Sequence, residues 1–164
     1  MATLEELVAA RELERMPVRR LRRNEFADRE LFLAPELIAW MTALFDQEAG
    51  STPDGMPSVK EELYLVMRDF ITGVSMSSPK KFKKLFSRPE KYVWEIKTPR
   101  FRLFGWFVSF DRLVLVVGES KDVLVQSSGG VPSCIERVCQ FRDQISLDEP
   151  KYLREREYRY VVSD

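Results

Sequence analysis

At Tyr92 the hydrophobic period of this 164-residue chain changes from 3.6 residues to 2, and that change limits the fold more than any other feature of the sequence. Tyr92, Trp94 and Ile96 alternate with Val93, Glu95 and Lys97, which predicts a half-buried strand that ends at a Thr98-Pro99-Arg100 turn. Residues 101–110 (FRLFGWFVSF) are apolar on both faces, as a central strand is, and Gly105 predicts a bulge or a close backbone approach. Asp111-Arg112 then connects to Leu113–Val117, giving a three-stranded antiparallel meander over about residues 92–119.

The residues before the meander have helical spacing. Thr3-x-x-Glu6 and Ser58-x-x-Glu61 have the form of capping boxes, in which hydroxyl and carboxylate each satisfy an orphan backbone N–H. The first opens a helix expected to reach about Arg15 before Pro17, and the basic stretch on to Glu30 reads as a solvated connection or a short arm. Pro35 opens a second helix with Leu37, Ile38, Met41, Leu44 and Phe45 as its stripe, ending before a Gly50–Pro57 loop. The third carries Val59, Leu63, Val66, Met67 and Phe70 on one face and closes at Gly73. Lys80 to Phe86 reads as a short basic helix or turn. After the meander, Gln126–Val131 reads as a mobile loop, Ser133-x-x-Glu136 as the cap of a last helix, and Tyr158, Tyr160 and Val162 as an edge strand. The expected fold class is α+β: N-terminal helices packed on an antiparallel β-meander, then a C-terminal helix and an edge strand, all one domain over residues 1–164.

Composition removes several chemistries. The chain has no histidine, so Ser-His-Asp and Cys-His catalysis and His-bearing zinc sites are excluded, and two cysteines cannot complete a four-thiolate site. Cys134 and Cys139 lie on one predicted helix, unsuited to a mutual disulfide, although a position near the helix start can lower a thiol pKa. No GxGxxG or GxxxxGK pattern is present, and the adjacent acidic pairs Glu5/Glu6, Glu61/Glu62 and Asp148/Glu149 do not resemble an acid/base pair. No metal or cofactor is expected. No secretory opening and no long apolar run appears, so a cytoplasmic protein without membrane contact is expected.

Net charge is zero, yet residues 80–102 carry nine Lys or Arg (Lys80, Lys81, Lys83, Lys84, Arg88, Lys91, Lys97, Arg100, Arg102) against Glu90 and Glu95, a local balance of +7. The Arg19-Arg20-Leu21-Arg22-Arg23 stretch adds a second basic cluster. Interleaved with Phe82, Phe86, Tyr92 and Trp94, these cations suit single-stranded RNA, phosphates meeting Lys and Arg while bases stack on rings. The plainer alternative is that the lysines solvate an element whose phenylalanines face the core. Lys97, Arg100, Arg102 and Lys121 surround the first hairpin turn and the end of the third strand, where cations can stabilise charge developing on a transferring phosphate; solubility of an exposed sheet edge is the alternative there.

The succession of helices, then Tyr92-Val-Trp-Glu-Ile-Lys97, Phe101-Arg-Leu-Phe-Gly-Trp-Phe107, Leu113-Val-Leu-Val-Val-Gly118 and Lys121 resembles the RelE/ParE toxin superfamily, closest to its HigB-like branch, over about residues 58–122. Trp94-Glu95-Ile96, Arg102 and Gly118/Lys121 fill the places of the family pattern. The resemblance implies a toxin-like core at residues 58–164 behind a helical extension at 1–57, metal-independent cleavage of mRNA at the ribosome, and an antitoxin or other protein partner. Carried over, Arg102 and Lys121 are the catalytic candidates, and Lys80, Lys81, Lys83, Lys84, Arg88, Lys97 and Arg100 are the RNA contacts. The chain departs from the pattern in lacking histidine, in having no tyrosine closely after Lys121, and in its length. A non-catalytic protein-interaction module on the same fold is the alternative.

Overall fold

The computed structural model describes residues 1–17, 23–48, 55–78, 81–85 and 87–164. Residues 19–22 of the arginine stretch, residues 50–54 of the loop expected after the second helix, Lys80 and Phe86 lie outside these. The elements in order are α1 (Leu4–Ala9), β1 (Glu14–Arg15), β2 (Glu30–Leu33), α2 (Pro35–Glu48), α3 (Val59–Ile71), β3 (Phe82–Lys84), β4 (Trp94–Lys97), β5 (Phe101–Ser109), β6 (Arg112–Ser120), α4 (Lys121–Gln126), α5 (Gly130–Gln144) and a 3₁₀ turn at Tyr158–Tyr160.

The fold is α+β. The expected meander is present as antiparallel β4, β5 and β6, and it forms the middle of a six-stranded mixed sheet of order β1-β2-β6-β5-β4-β3. A strand that periodicity does not predict, β2, begins at Glu30 where the basic stretch ends and runs parallel to β6, with Leu31 opposite Leu113 and Phe32 opposite Val114. Its four residues, Glu-Leu-Phe-Leu, are too short to display a period, and β6 selects them because they offer apolar side chains to both faces. Leu31 and Leu33 join β6 residues Leu113 and Leu115 in a core beneath α2 and α3. Phe32, Val114 and Val116 join Phe104 and Trp106 in a second core beneath α1 and α5. The sheet is therefore covered on both faces.

Gly105 serves both purposes foreseen for it. Phe104 pairs with Val117 and Gly105 with Leu115, so Val116 is an extra residue on β6 and the ladder bulges there. A Cβ at position 105 would stand 1.9 Å from the Val114 carbonyl oxygen, a backbone atom that cannot swing aside. The two-residue hairpin loop is Phe110-Asp111, one residue earlier than expected, because Ser109 pairs with Arg112 and Asp111 takes the left-handed conformation, φ 61°.

Both capping boxes form, Thr3 with Glu6 and Ser58 with Glu61. Elsewhere burial overrides local preference. α1 stops at Ala9, and Arg11 turns left-handed (φ 62°), which brings Leu13 into the α1/α5 core. The basic helix or turn expected at Lys80–Phe86 is the edge strand β3, since Phe82 stacks on Trp94 across the β3–β4 ladder, 5.2 Å between ring centroids. Part of the expected 126–131 loop is helical: α4 runs to Gln126, and α5 starts at Gly130 rather than at Ser133, with Pro132 in its first turn.

The C-terminal edge strand is absent; Val161 and Val162 insert instead into the α2/α3 core. Arg29, whose side chain is fully buried, anchors them. It donates to the carbonyls of Phe70 (3.1 Å), Val74 (3.0 Å) and Ser163, and lies 3.8 Å from the Asp111 carboxylate, which accepts from the Ser163 N–H at 2.7 Å. Removing the guanidinium takes a donor from each of these carbonyls, although Phe70 keeps the Gly73 N–H at 3.3 Å. Arg29→Leu should lower unfolding free energy by about 3 kcal/mol or more in urea titration, and should expose residues 158–164 to carboxypeptidase before global unfolding. Gly105→Ala should cost about 3 kcal/mol or more by the same titration, whereas Gly129→Ala, with open space around it, should be near neutral.

Candidate phosphate-binding face

Strand alternation sorts the candidate residues. On β4, Trp94 and Ile96 point into the α2/α3 core, which leaves Val93, Glu95 and Lys97 on the α1/α5 side. Register then places Lys83 of β3 opposite Glu95, and Lys97 opposite Arg102, which is in turn opposite Glu119 of β6. Lys81 belongs to the same end, its carbonyl accepting from the Lys97 N–H at 2.7 Å.

Glu95 is the centre of this group, and the sequence reading assigned it no role. It is only 6% exposed. Its carboxylate lies 3.6 Å from Arg102 Nε and 4.0 Å from Lys97 Nζ. Burial raises its pKa, and the opposing attraction of Lys97, Arg102 and Lys83 does not cancel that rise. Glu95 and Glu119 also face the Cys134 end of α5, where burial and the nearby carboxylates push the Cys134 thiol up to about 11. Burial likewise raises Cys139. Both cysteines are buried and free, so a thiol activated by the helix start is replaced by two inert ones.

Arg102 is held in a fixed pose. Its Nη1 donates to the carbonyls of Thr98 (2.6 Å) and Phe101 (2.7 Å), while Nη2 has no partner among the described residues. Lys121, the first residue of α4, is exposed at the same end; its backbone N–H donates to the Arg100 carbonyl at 2.8 Å. Lys81 and Lys83 are exposed on the sheet edge.

The other candidates lie elsewhere. Arg100 leaves the turn toward the opposite face, where Nε donates to Glu62 Oε2 at 2.6 Å, Nη2 to the Pro57 carbonyl at 2.8 Å, and Nη1 lies 3.6 Å from Glu48. It ties α2 and α3 to the β4–β5 turn. Arg100 and Arg102 separate because residue 100 sits in the turn, where the two-residue period no longer holds. Lys84 is bound to Glu90 at 2.6 Å with its side chain nearly covered. Arg88 is exposed beyond the far end of the β3–β4 hairpin, lining a notch with Ser87, Glu90 and Arg156. Phe82 and Trp94 are core residues, so the plainer reading holds for them, and Tyr92 is half-buried against Tyr152, 5.9 Å between centroids. Lys80 and Phe86 lie outside the described residues. Among the described residues no group of three or more His, Cys, Asp or Glu is placed to hold a metal, and no helix is long and apolar enough to cross a membrane.

Two carboxylates flanking the β4–β5 turn thus behave oppositely. Burial would raise Glu62 as it raises Glu95, yet hydrogen bonds from the Thr98 hydroxyl and from the Arg100 backbone and side chain outweigh it and hold Glu62 low. Glu95 lacks such donors. Because its folded pKa is raised, Glu95 favours the folded state at pH below the ordinary carboxyl value of 4.5, and that advantage disappears as pH rises through the folded pKa. Glu95→Gln should therefore raise unfolding free energy at pH 7, with a gain that shrinks toward pH 4; Glu62→Gln should lower it at pH 7. Urea titrations across that range check both signs. No family model, no curated protein and no solved structure matches this chain.

Proposed function

We propose that the chain is an RNA-directed module of the RelE/HigB-like toxin type, a metal-independent endoribonuclease working at the Glu95 face. The observation that carries the reading is the buried, pKa-raised Glu95 carboxylate set among Lys83, Lys97 and Arg102 on one sheet face, with Lys121 exposed beside the Arg100 turn at the same end. A carboxylate whose pKa burial raises is a stronger base than an ordinary one and so suits proton abstraction, and the cations around it suit phosphate charge. In the proposed step Glu95 takes the proton of a ribose 2′-hydroxyl. The 2′ oxygen attacks phosphorus, forming the O2′–P bond as the P–O5′ bond breaks, and the departing 5′ oxygen takes a proton from the Lys121 ammonium. Products are a 2′,3′-cyclic phosphate and a 5′-hydroxyl. Arg102 Nη2 supplies the donor for the phosphate oxygens. The ribosome as the place of cleavage and an antitoxin as protein partner belong to the same reading.

A second reading, a protein-interaction module without catalysis, draws support from Arg102, whose Nη1 is committed to the carbonyls of Thr98 and Phe101 and whose Nε faces Glu95.

Induction of wild type, Arg102→Ala and Glu95→Gln side by side separates the two. The nuclease reading expects growth arrest and falling translation from wild type alone. It also expects Glu95→Gln to cut cleavage of a short fluorescent RNA by about 10²- to 10⁴-fold while RNA binding persists. Lys83→Gln and Lys97→Gln should each lower the salt dependence of binding by about one counterion. Absence of arrest by any form, with no RNA bound at low salt, would leave the interaction module as the reading to pursue.

A further inference from the structure

A cavity of about 430 Å³ lies on the opposite face of the sheet from Glu95, between α2, α3 and the β1 edge. It takes no part in the reading above. Its wall from α2 is Ile38, Met41, Thr42 and Phe45, one stripe at helical spacing. Its wall from α3 is Lys60, Tyr64 and Arg68, at successive intervals of four residues and so on one face of that helix. Leu33 and Ile71 form the apolar floor, and Met16 and Pro17 close the side next to β1.

The polar groups at the mouth define what fits. Lys60 Nζ is 5.9 Å from the Phe45 ring centroid and 5.7 Å from that of Tyr64, drawn over the two rings with no carboxylate partner among the described residues. One turn on, the Tyr64 hydroxyl likewise has no hydrogen-bond partner there. Arg68 is already paired with Glu25, and the Thr42 hydroxyl donates to the Ile38 carbonyl at 2.9 Å, so neither competes for a ligand. Glu14 stands on the β1 wall, away from the α3 stripe in sequence and element, and is the one acidic lining residue among the described residues. The volume lies within the ordinary range for small-molecule sites, which combine an apolar lining with a few polar groups that orient the ligand.

We propose that this cavity binds a small amphiphilic monoanion, with an apolar chain or ring against Leu33, Ile38, Met41 and Phe45 and an anionic head on Lys60 and Tyr64. A carboxylate there gains a charge-assisted hydrogen bond from an ammonium that has no anion to give up among the described residues.

The test is calorimetric titration of the full folded chain with three probes of one chain length: decanoate, decanol and decylammonium, each below its micellar concentration. Decanoate should bind about tenfold tighter than decanol, a difference of about 1.4 kcal/mol, and decylammonium weaker than either. Lys60→Gln, at an exposed position, should reduce decanoate to the affinity of decanol and leave decanol unchanged, which also shows that the cavity is intact. Thr42→Phe, placed at the exposed rim, should abolish binding of all three. The proposal is overturned if no probe binds, if decylammonium binds as well as decanoate, if Lys60→Gln keeps the preference for decanoate, or if a folded Thr42→Phe chain still binds.

Discussion

The β5–β6 hairpin is the constraint on which the remaining structure depends. Residues 101–109 and 112–120 present apolar side chains to both faces, and a sheet of that kind is stable only with a layer on each side. α2 and α3 supply one layer and α1 and α5 the other. The bulge at Gly105 then decides which side chains reach which layer. With Val116 and Val117 both turned toward α5, and Leu113 and Leu115 toward α3, the two cores draw on different residues of one strand. At the far end of β6, Gly118 lies under the Trp40 ring, where a Cβ would be 2.3 Å from ring atoms, so α2 can approach the sheet only over glycine.

Electrostatics follow from this layering. A charged side chain on β4 or β5 must lie on one covered face or the other, and the β4–β5 turn distributes two arginines between them. On the α3 side, Arg100 meets Glu62 with short hydrogen bonds and the Thr98 hydroxyl adds another at 2.5 Å; the carboxylate is fully satisfied and stays ionised. On the α5 side, Glu95 has cations nearby at 3.6 and 4.0 Å without short donors, and burial dominates. One pair holds helices to the sheet. The other leaves a carboxylate whose pKa burial raises, beside cations that reach solvent.

Arg29 fulfils a third role. A fully buried guanidinium is costly unless its N–H groups are occupied, and here they meet carbonyls from α3, from the segment that follows it, and from the C-terminal tail. The tail residues Val161 and Val162 thereby complete the α2/α3 core, which joins the last residues of the chain to the second and third helices.

The meander, the two capping boxes, α2 and α3 were legible in the sequence because each rests on local information: a period, a cap, a glycine within an apolar strand. Phe104-Gly105-Trp106 announced its bulge because no other residue fits so close an approach. The strand β2, the short α1, the strand β3 and the tail were not legible, because Glu30–Leu33, Leu13, Phe82 and Val161 are placed by what the sheet needs at that point in space. The site divides in the same way. The sequence by itself determined that a basic group would gather around residues 80–102 and that no histidine would serve it. Only the tertiary structure decided that Arg100 turns to Glu62, that Lys84 is consumed by Glu90, and that Glu95 becomes the buried centre of Lys83, Lys97 and Arg102. Which face a side chain takes depends on where a turn breaks the two-residue period, and how strongly it holds a proton depends on the layer packed above it; neither is a local property of the chain.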